Sequence, residues 1–173
     1  MKIQFYHCPI CGNVVMKFVD SGIVPVCCEE EMELLEANTT DGKSEYHVPV
    51  VSIADKHCVK VDVGKEPHPM SKEHHIRFIL LETKDKLGKC GFMVKWLEDD
   101  EKPELFFRIK PKAITAVYAY CNIHGLWMTK IKACDTDKML DDKAKAEAEK
   151  CGIYPAFCGE KPNDPKEAYY SCD

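Results

Sequence analysis

Ile114-Thr115-Ala116-Val117-Tyr118-Ala119-Tyr120-Cys121-Asn122-Ile123-His124-Gly125-Leu126-Trp127-Met128-Thr129-Lys130-Ile131 is the stretch whose reading decides the fold. Residues 114–120 and 126–131 are rich in β-branched and aromatic side chains, which suit a pleated, half-buried surface. Between them a thiol and an imidazole stand three residues apart at a strand end, with Gly125 as turn signal. The same texture recurs upstream at His57 to Val63, His75 to Leu81, Cys90 to Leu97 and Leu105 to Ile109, with Gly, Pro and charged clusters between the runs. Short strands at this spacing predict a sandwich or barrel over residues 45–132 rather than a parallel sheet.

The flanks read differently. Residues 1–37 carry Cys8, Cys11, Cys27 and Cys28, with a short β-like run from Val14 to Val19 and turn signals at Gly12 and Asp20-Ser21-Gly22. Asn38 to Ser44 is polar with turn chemistry and reads as a boundary loop. We therefore divide the chain into segments 1–37, 38–132 and 133–173. In the last, residues 137–150 favour helix, with Thr136 or Asp137 as N-cap and Gly152 as the stop. Leu140, Ala144, Ala148 and Cys151 share one face of that helix.

The chain has 173 residues, formal net charge −5 and 11 cysteines. The charge argues against a nucleic-acid partner. No stretch is apolar for long enough to span a membrane, and MKIQFYHCPICG does not read as a secretion signal, so the expected setting is cytoplasmic. Cytosolic thiols stay reduced, which turns an odd, high cysteine count toward metal binding or redox chemistry.

Cys8-Pro9-Ile10-Cys11 places two thiolates on one knuckle, and Cys27-Cys28 supplies two more after a loop of fifteen residues. Four thiolates suit a tetrahedral site for iron or zinc, and in a segment too small for its own core the metal supplies folding energy. Adjacent cysteines depart from the paired C-x-x-C knuckles of common zinc ribbons. His7, beside the knuckle, reads as a solvated surface residue.

Histidines gather in the β segment, at His47, His68, His74-His75 and His124, the last with Cys121. Neutral imidazoles and one thiolate form a set suited to iron, copper or zinc. A structural site closes at four ligands; five candidates leave a sixth position of an octahedron open for chemistry.

Taken together, Cys8-x-x-Cys11, Cys27-Cys28, His47-Val48-Pro49-Val50, His68-Pro69-Met70 with His74, and Tyr120-Cys121-Asn122-Ile123-His124-Gly125 resemble desulfoferrodoxin, the two-iron form of superoxide reductase, over residues 1–130. The resemblance implies a desulforedoxin-like N-terminal domain with an iron held by Cys8, Cys11, Cys27 and Cys28, followed by an immunoglobulin-like β-sandwich. In the sandwich it implies a second iron with His47, His68, His74 and His124 equatorial and Cys121 axial. It selects His74 over His75, which it leaves to packing, and gives His57 no ligand role beyond a strand surface.

The implied reaction is one-electron reduction of superoxide to hydrogen peroxide, consuming two protons, with rubredoxin or a similar small carrier as donor and a homodimer as the assembly. Ferrous iron with four neutral imidazoles and a thiolate carries a net charge of about +1, which attracts the anion. An axial thiolate pushes electron density onto the metal. Glu45 matches a family glutamate that ligates the oxidised iron. Tyr46 stands where the family often has a lysine; it donates a hydrogen bond but brings no charge, and Lys43 or Lys72 could supply one. Two rival readings are a non-enzymatic electron carrier or redox sensor, and a zinc-stapled module. Cys58 and Cys90 lie in predicted strands and are expected in the core. Cys134, Cys151, Cys158 and Cys172 lie beyond the resemblance, and disulfides or free thiols suit their irregular spacing better than a third metal site.

Overall fold

The structure is a computed structural model that describes residues 3–132 and, beyond them, Lys143, Ala144 and Ala146. In the N-terminal unit, β1 (Gln4–His7) is flanked by β2 (Val14–Lys17) and β5 (Glu33–Leu35), all antiparallel. A two-residue hairpin joins β3 (Val26–Cys27) to β4 (Glu30–Glu31). Its turn residues, Cys28 and Glu29, both have positive φ, 52° and 67°. That is the backbone a tight hairpin requires, but glycine or asparagine usually supplies it. The adjacent cysteines follow from this geometry: one ends a strand and the next is turned back by the hairpin toward the same point.

One helical turn, α1 (Ser44–His47), leads into seven antiparallel strands. These are β6 (Pro49–Asp55), β7 (Cys58–Val63), β8 (Ile76–Lys84), β9 (Cys90–Trp96), β10 (Glu104–Arg108), β11 (Ile114–Cys121) and β12 (Gly125–Lys130). A 3-10 turn over Pro111–Ala113 precedes β11. They form two sheets, ordered β10-β7-β6 and β12-β11-β8-β9. The fold is mainly β, as expected. Alternation decides what each residue does: on β11, Val117, Ala119 and Cys121 enter the core between the sheets with Val59, Val61, Ile79, Leu81 and Phe107. Tyr118 and Tyr120 point the other way, to the outer face, where the N-terminal unit packs. Phe5 is the wedge there, its ring 6.1 Å from that of Phe78 and 5.7 Å from that of Tyr118. The boundary loop is stitched to β12 by Asn38, whose amide donates to the Met128 carbonyl and accepts from the Met128 N–H.

Several sequence expectations need correction. Pro49–Asp55 is a strand the reading missed; Pro49 opens β6, an edge strand, where a missing N–H costs no ladder bond. The boundary loop yields at Ser44 to α1. Cys90 is exposed rather than core, because it starts the edge strand β9 opposite Lys84. Cys58 is buried, as predicted. His57 occupies the turn between β6 and β7, where its carbonyl accepts the Ile109 N–H, and not a strand surface. His7 ends β1 and is half-buried rather than fully solvated. Of the predicted helix at 137–150, only Lys143, Ala144 and Ala146 are described, so it is not established as an element; the rest of it, with Cys134, Cys151, Cys158 and Cys172, lies outside the described residues. Among the described residues, no helix is long and apolar enough to cross a membrane.

Candidate metal centres

His47, His68, His74, Cys121 and His124 converge at one end of the sandwich, with one candidate ligand atom from each within 4.8 Å of all the others. Cys121 ends β11 inside the core, and the tight turn into β12 brings His124 back over it: the His124 N–H donates to Cys121 Sγ at 3.4 Å. His47 is carried by α1, and His68 and His74 by the β7–β8 connection. The four imidazoles form a closed ring of edge-to-face neighbours. Centroid separations are 4.7 Å for His47–His68, 4.6 Å for His68–His74, 4.8 Å for His74–His124 and 4.6 Å for His124–His47, while the diagonal His47–His74 is 6.2 Å. This is a square of rings with the thiol of Cys121 as the fifth group.

The outer hydrogen bonds set which nitrogen faces inward. His47 Nδ1 lies 2.8 Å from the Lys43 carbonyl and His68 Nδ1 lies 2.6 Å from the Pro69 carbonyl. A carbonyl only accepts, so both Nδ1 atoms carry the proton and both Nε2 lone pairs point into the cluster. His47 Nε2 and His74 Nε2 stand 2.9 and 3.1 Å from His124 Nδ1. Neighbouring nitrogens in a square around a metal, each about 2.0–2.1 Å from it, are separated by about 3 Å. His68 Nε2 is fully buried and, among the described residues, has no hydrogen-bond partner. Burial of an imidazole nitrogen with no acceptor or donor is costly, and convergence of lone pairs repels; a cation at the centre resolves both. Burial, followed by the neighbouring His47, pushes His68 down to about 4, and burial also lowers His47 and His74. Neutral imidazole is the ligating form. The donor set therefore fits iron.

Residues around the cluster lock it, and sequence reasoning did not assign them this work. Trp127 stacks on His47 (4.8 Å, 23°) while its Nε1–H donates to the His124 carbonyl at 2.9 Å. Asn122 accepts the His75 N–H at 2.9 Å and donates to the Glu73 carbonyl at 2.8 Å, tying the loop that carries His74 to the Cys121–His124 turn. Both lie inside or beside the Cys-x-x-His string, so proximity in sequence was the available signal. Gly64 has no such signal. The turn it opens grips α1, with the N–H groups of Lys65 and Glu66 both donating to the Glu45 carbonyl. His75 is outside the cluster, its Nδ1 2.9 Å from the Ser71 carbonyl, so the selection of His74 holds. Glu45 and Tyr46 occupy α1 directly before His47; Glu45 is exposed, and the Lys43 ammonium lies 5.9 Å from the centre of the half-buried Tyr46 ring.

The second cluster joins Cys8, Cys11, Cys27 and Cys28, again with their sulfurs within 4.8 Å of one another. Cys11 Sγ and Cys27 Sγ are 3.5 Å apart and Cys27 Sγ and Cys28 Sγ 4.0 Å. A tetrahedron with metal–sulfur distances of about 2.3 Å has edges of about 3.8 Å. The backbone N–H of Cys11 is the main influence drawing Cys8 down to about 7, whereas the Cys11 thiol beside it is the first cause pushing Cys28 up to about 12. Four thiolates cannot coexist in such a space without a cation, and the sulfur set fits iron.

The N-terminal domain model of desulfoferrodoxin matches residues 1–35 and the main desulfoferrodoxin model residues 39–130. Desulfoferrodoxin from Desulfarculus baarsii is 39% identical over 127 residues, covering 73% of this chain and 94% of that protein. A protein named superoxide reductase from Pyrococcus abyssi is 38% identical over 104 residues, covering 53% of this chain and 90% of its own. The crystal structure of superoxide reductase from Treponema pallidum superposes with a TM-score of 0.60 at 30% identity, covering 75% of this chain and all of that one. With both of its sulfur and imidazole clusters inside the matched segments, the chain belongs to the desulfoferrodoxin family.

Proposed function

We propose that this protein is a superoxide reductase, converting superoxide, one electron and two protons to hydrogen peroxide. The observation that carries the reading is the square of four imidazoles with one buried thiol, in which the buried His68 Nε2 faces the cluster and has no hydrogen-bond partner among the described residues. Iron held there supplies a one-electron couple and a position for the anion. The chain's residues do the rest. The Lys43 and Pro69 carbonyls fix the tautomers of His47 and His68. Tyr46 donates a hydrogen bond to the incoming anion, the nearby Lys43 ammonium adds the positive charge that a tyrosine lacks, and Glu45 serves as the carboxylate that closes the site after product leaves. If Tyr46→Lys leaves the second-order rate with superoxide unchanged, position 46 has no such role.

Segment 1–37 is the desulforedoxin-like domain that holds the four-cysteine iron, segment 38–132 is the reductase β-sandwich, and segment 133–173 is a cysteine-containing extension. Rubredoxin or a similar small carrier is the donor, the assembly is a homodimer and the setting is cytoplasmic. Steady-state assay with excess reductant and a steady superoxide source tests the function. We expect one peroxide per superoxide without oxygen evolution, abolished in His68→Ala. Oxygen evolution marks a dismutase, and no reaction marks an electron carrier.

A further inference from the structure

The loop that precedes α1 is pinned before it reaches the imidazoles. The Asn38 N–H donates to the Leu126 carbonyl, while the Asn38 side chain is held by Met128. Further on, the Gly42 N–H folds back to the Thr40 carbonyl at 2.8 Å, and the next residue, Lys43, offers its carbonyl to His47 Nδ1–H at 2.8 Å. Gly42 is where this loop meets the cluster. A Cβ there would lie 2.8 Å from Trp127 Cζ2, 3.3 Å from His47 Cε1 and 3.4 Å from His124 Cβ. The backbone at 42 is not left-handed, so the position needs glycine for room and not for its φ. Trp127, only 3% exposed, sits between the loop and the rings. Its indole stacks on His47 at 4.8 Å, and its Nε1–H donates to the His124 carbonyl at 2.9 Å. One side chain thus holds two adjacent corners of the square, whose ring nitrogens are 2.9 Å apart. A buried indole caught this way cannot turn aside for a new neighbour without moving a ring it touches.

We infer that Gly42 and Trp127 are a pair of positioning residues: the missing side chain at 42 lets the loop close on the indole, and the indole fixes the angle between His47 and His124. Neither residue is a ligand. Their influence runs through ring orientation and through the Lys43 carbonyl, which together decide where the His47 lone pair aims. The inference rests on the imidazole site holding iron, as the functional reading requires, and not on what that iron reduces.

The test compares iron-loaded full-length protein with Gly42→Ala, Trp127→Phe and the double variant. Competition with a chelator gives iron affinity at the imidazole site, and absorption and EPR spectra report its oxidised form, with the four-cysteine iron as internal control. Gly42→Ala alters no ligand and no hydrogen-bonding group, so simple filling of space predicts the wild-type spectrum. Positioning predicts iron binding about tenfold weaker in each single variant and a changed EPR line shape, with the four-cysteine spectrum untouched. Phenylalanine keeps a ring against His47, but that ring is shorter and has no N–H. It makes way for the added methyl, so adding Gly42→Ala to Trp127→Phe should weaken binding by less than about threefold. Wild-type affinity and spectra in both single variants, or losses that simply multiply in the double variant, overturn the pairing. Loss of both irons together marks a general failure of the fold and overturns it too; should only Trp127→Phe fail to fold, the Gly42→Ala spectrum decides. Wild-type protein that binds iron at the cysteines alone sinks the functional reading as well, whereas wild-type iron at both sites with unchanged variants sinks this inference only.

Discussion

Gly64→Ala probes how the fold holds His47. Gly64 has φ +87°, and a Cβ there would lie 2.6 Å from the Tyr46 carbonyl oxygen and 2.7 Å from its carbon, and nearer still to the Glu66 carbonyl oxygen. These are backbone atoms, so no rotamer relieves the clash. Reaching the ordinary contact range that begins at 3.4 Å requires the turn and α1 to separate by the better part of an ångström. The Lys65 and Glu66 N–H groups meanwhile donate to Glu45 in that helix and the Gly64 N–H to Val48 just after it, so separation also stretches those bonds. A non-glycine residue forced into left-handed backbone costs about 1–2 kcal/mol, and overpacking against fixed atoms adds about 1–3 kcal/mol. We expect a loss of about 2–5 kcal/mol in urea denaturation, with the damage local to α1. His47 should then be misplaced, and iron should fall at the imidazole site while the four-cysteine iron, held by a separate unit, persists. Iron analysis with optical spectra separates the two centres. Wild-type stability together with two full-occupancy irons would refute the claim that this turn positions His47.

Three further outcomes follow from the geometry. Asn122→Ala removes both side-chain bonds between the His74 loop and the Cys121–His124 turn; about 1–3 kcal/mol should be lost, with iron depleted at the imidazole site alone, and unchanged occupancy would count against it. Phe5→Ala empties the wedge between the N-terminal unit and the sandwich and should cost about 3–5 kcal/mol by denaturant melting; a loss under 1 kcal/mol would mean the unit is not held there. In chelator-treated protein, His68 sits near 4 when folded against 6.5 unperturbed, so the unfolded state binds more protons as pH falls. Stability should be full above 6.5 and decline between 6.5 and 4 by on the order of 3 kcal/mol, visible as a falling Tm, whereas a flat Tm over that window would place His68 in water.

The sequence was legible where chemistry and periodicity coincided. Both metal clusters were readable because thiols and imidazoles at tight spacings have few other uses, and six of the seven sandwich strands showed their β-branched runs. Pro49 hid β6, since proline argues against a strand unless the strand is an edge. Cys90 was misplaced because a cysteine in an apolar run looks like core whether its strand is central or at the border, and that depends on sheet order. Gly64 carried no signal at all: its task is to let two backbones meet across a turn, which only tertiary structure defines. The square of rings was also invisible, because ligand identity follows from residue type but tautomer and ring angle follow from carbonyls such as Lys43 and Pro69.

Single-turnover mixing tests the central claim most directly. Fully reduced protein carrying two irons per chain is mixed with one equivalent of superoxide, and the ferric–thiolate absorbance and the peroxide formed are followed together. Ligation by four imidazoles and Cys121 predicts one ferric centre and one peroxide per superoxide, with the four-cysteine iron absorbance unchanged on the first pass. Oxidation confined to the four-cysteine iron, or superoxide decay with oxygen release and no ferric–thiolate band, would contradict it.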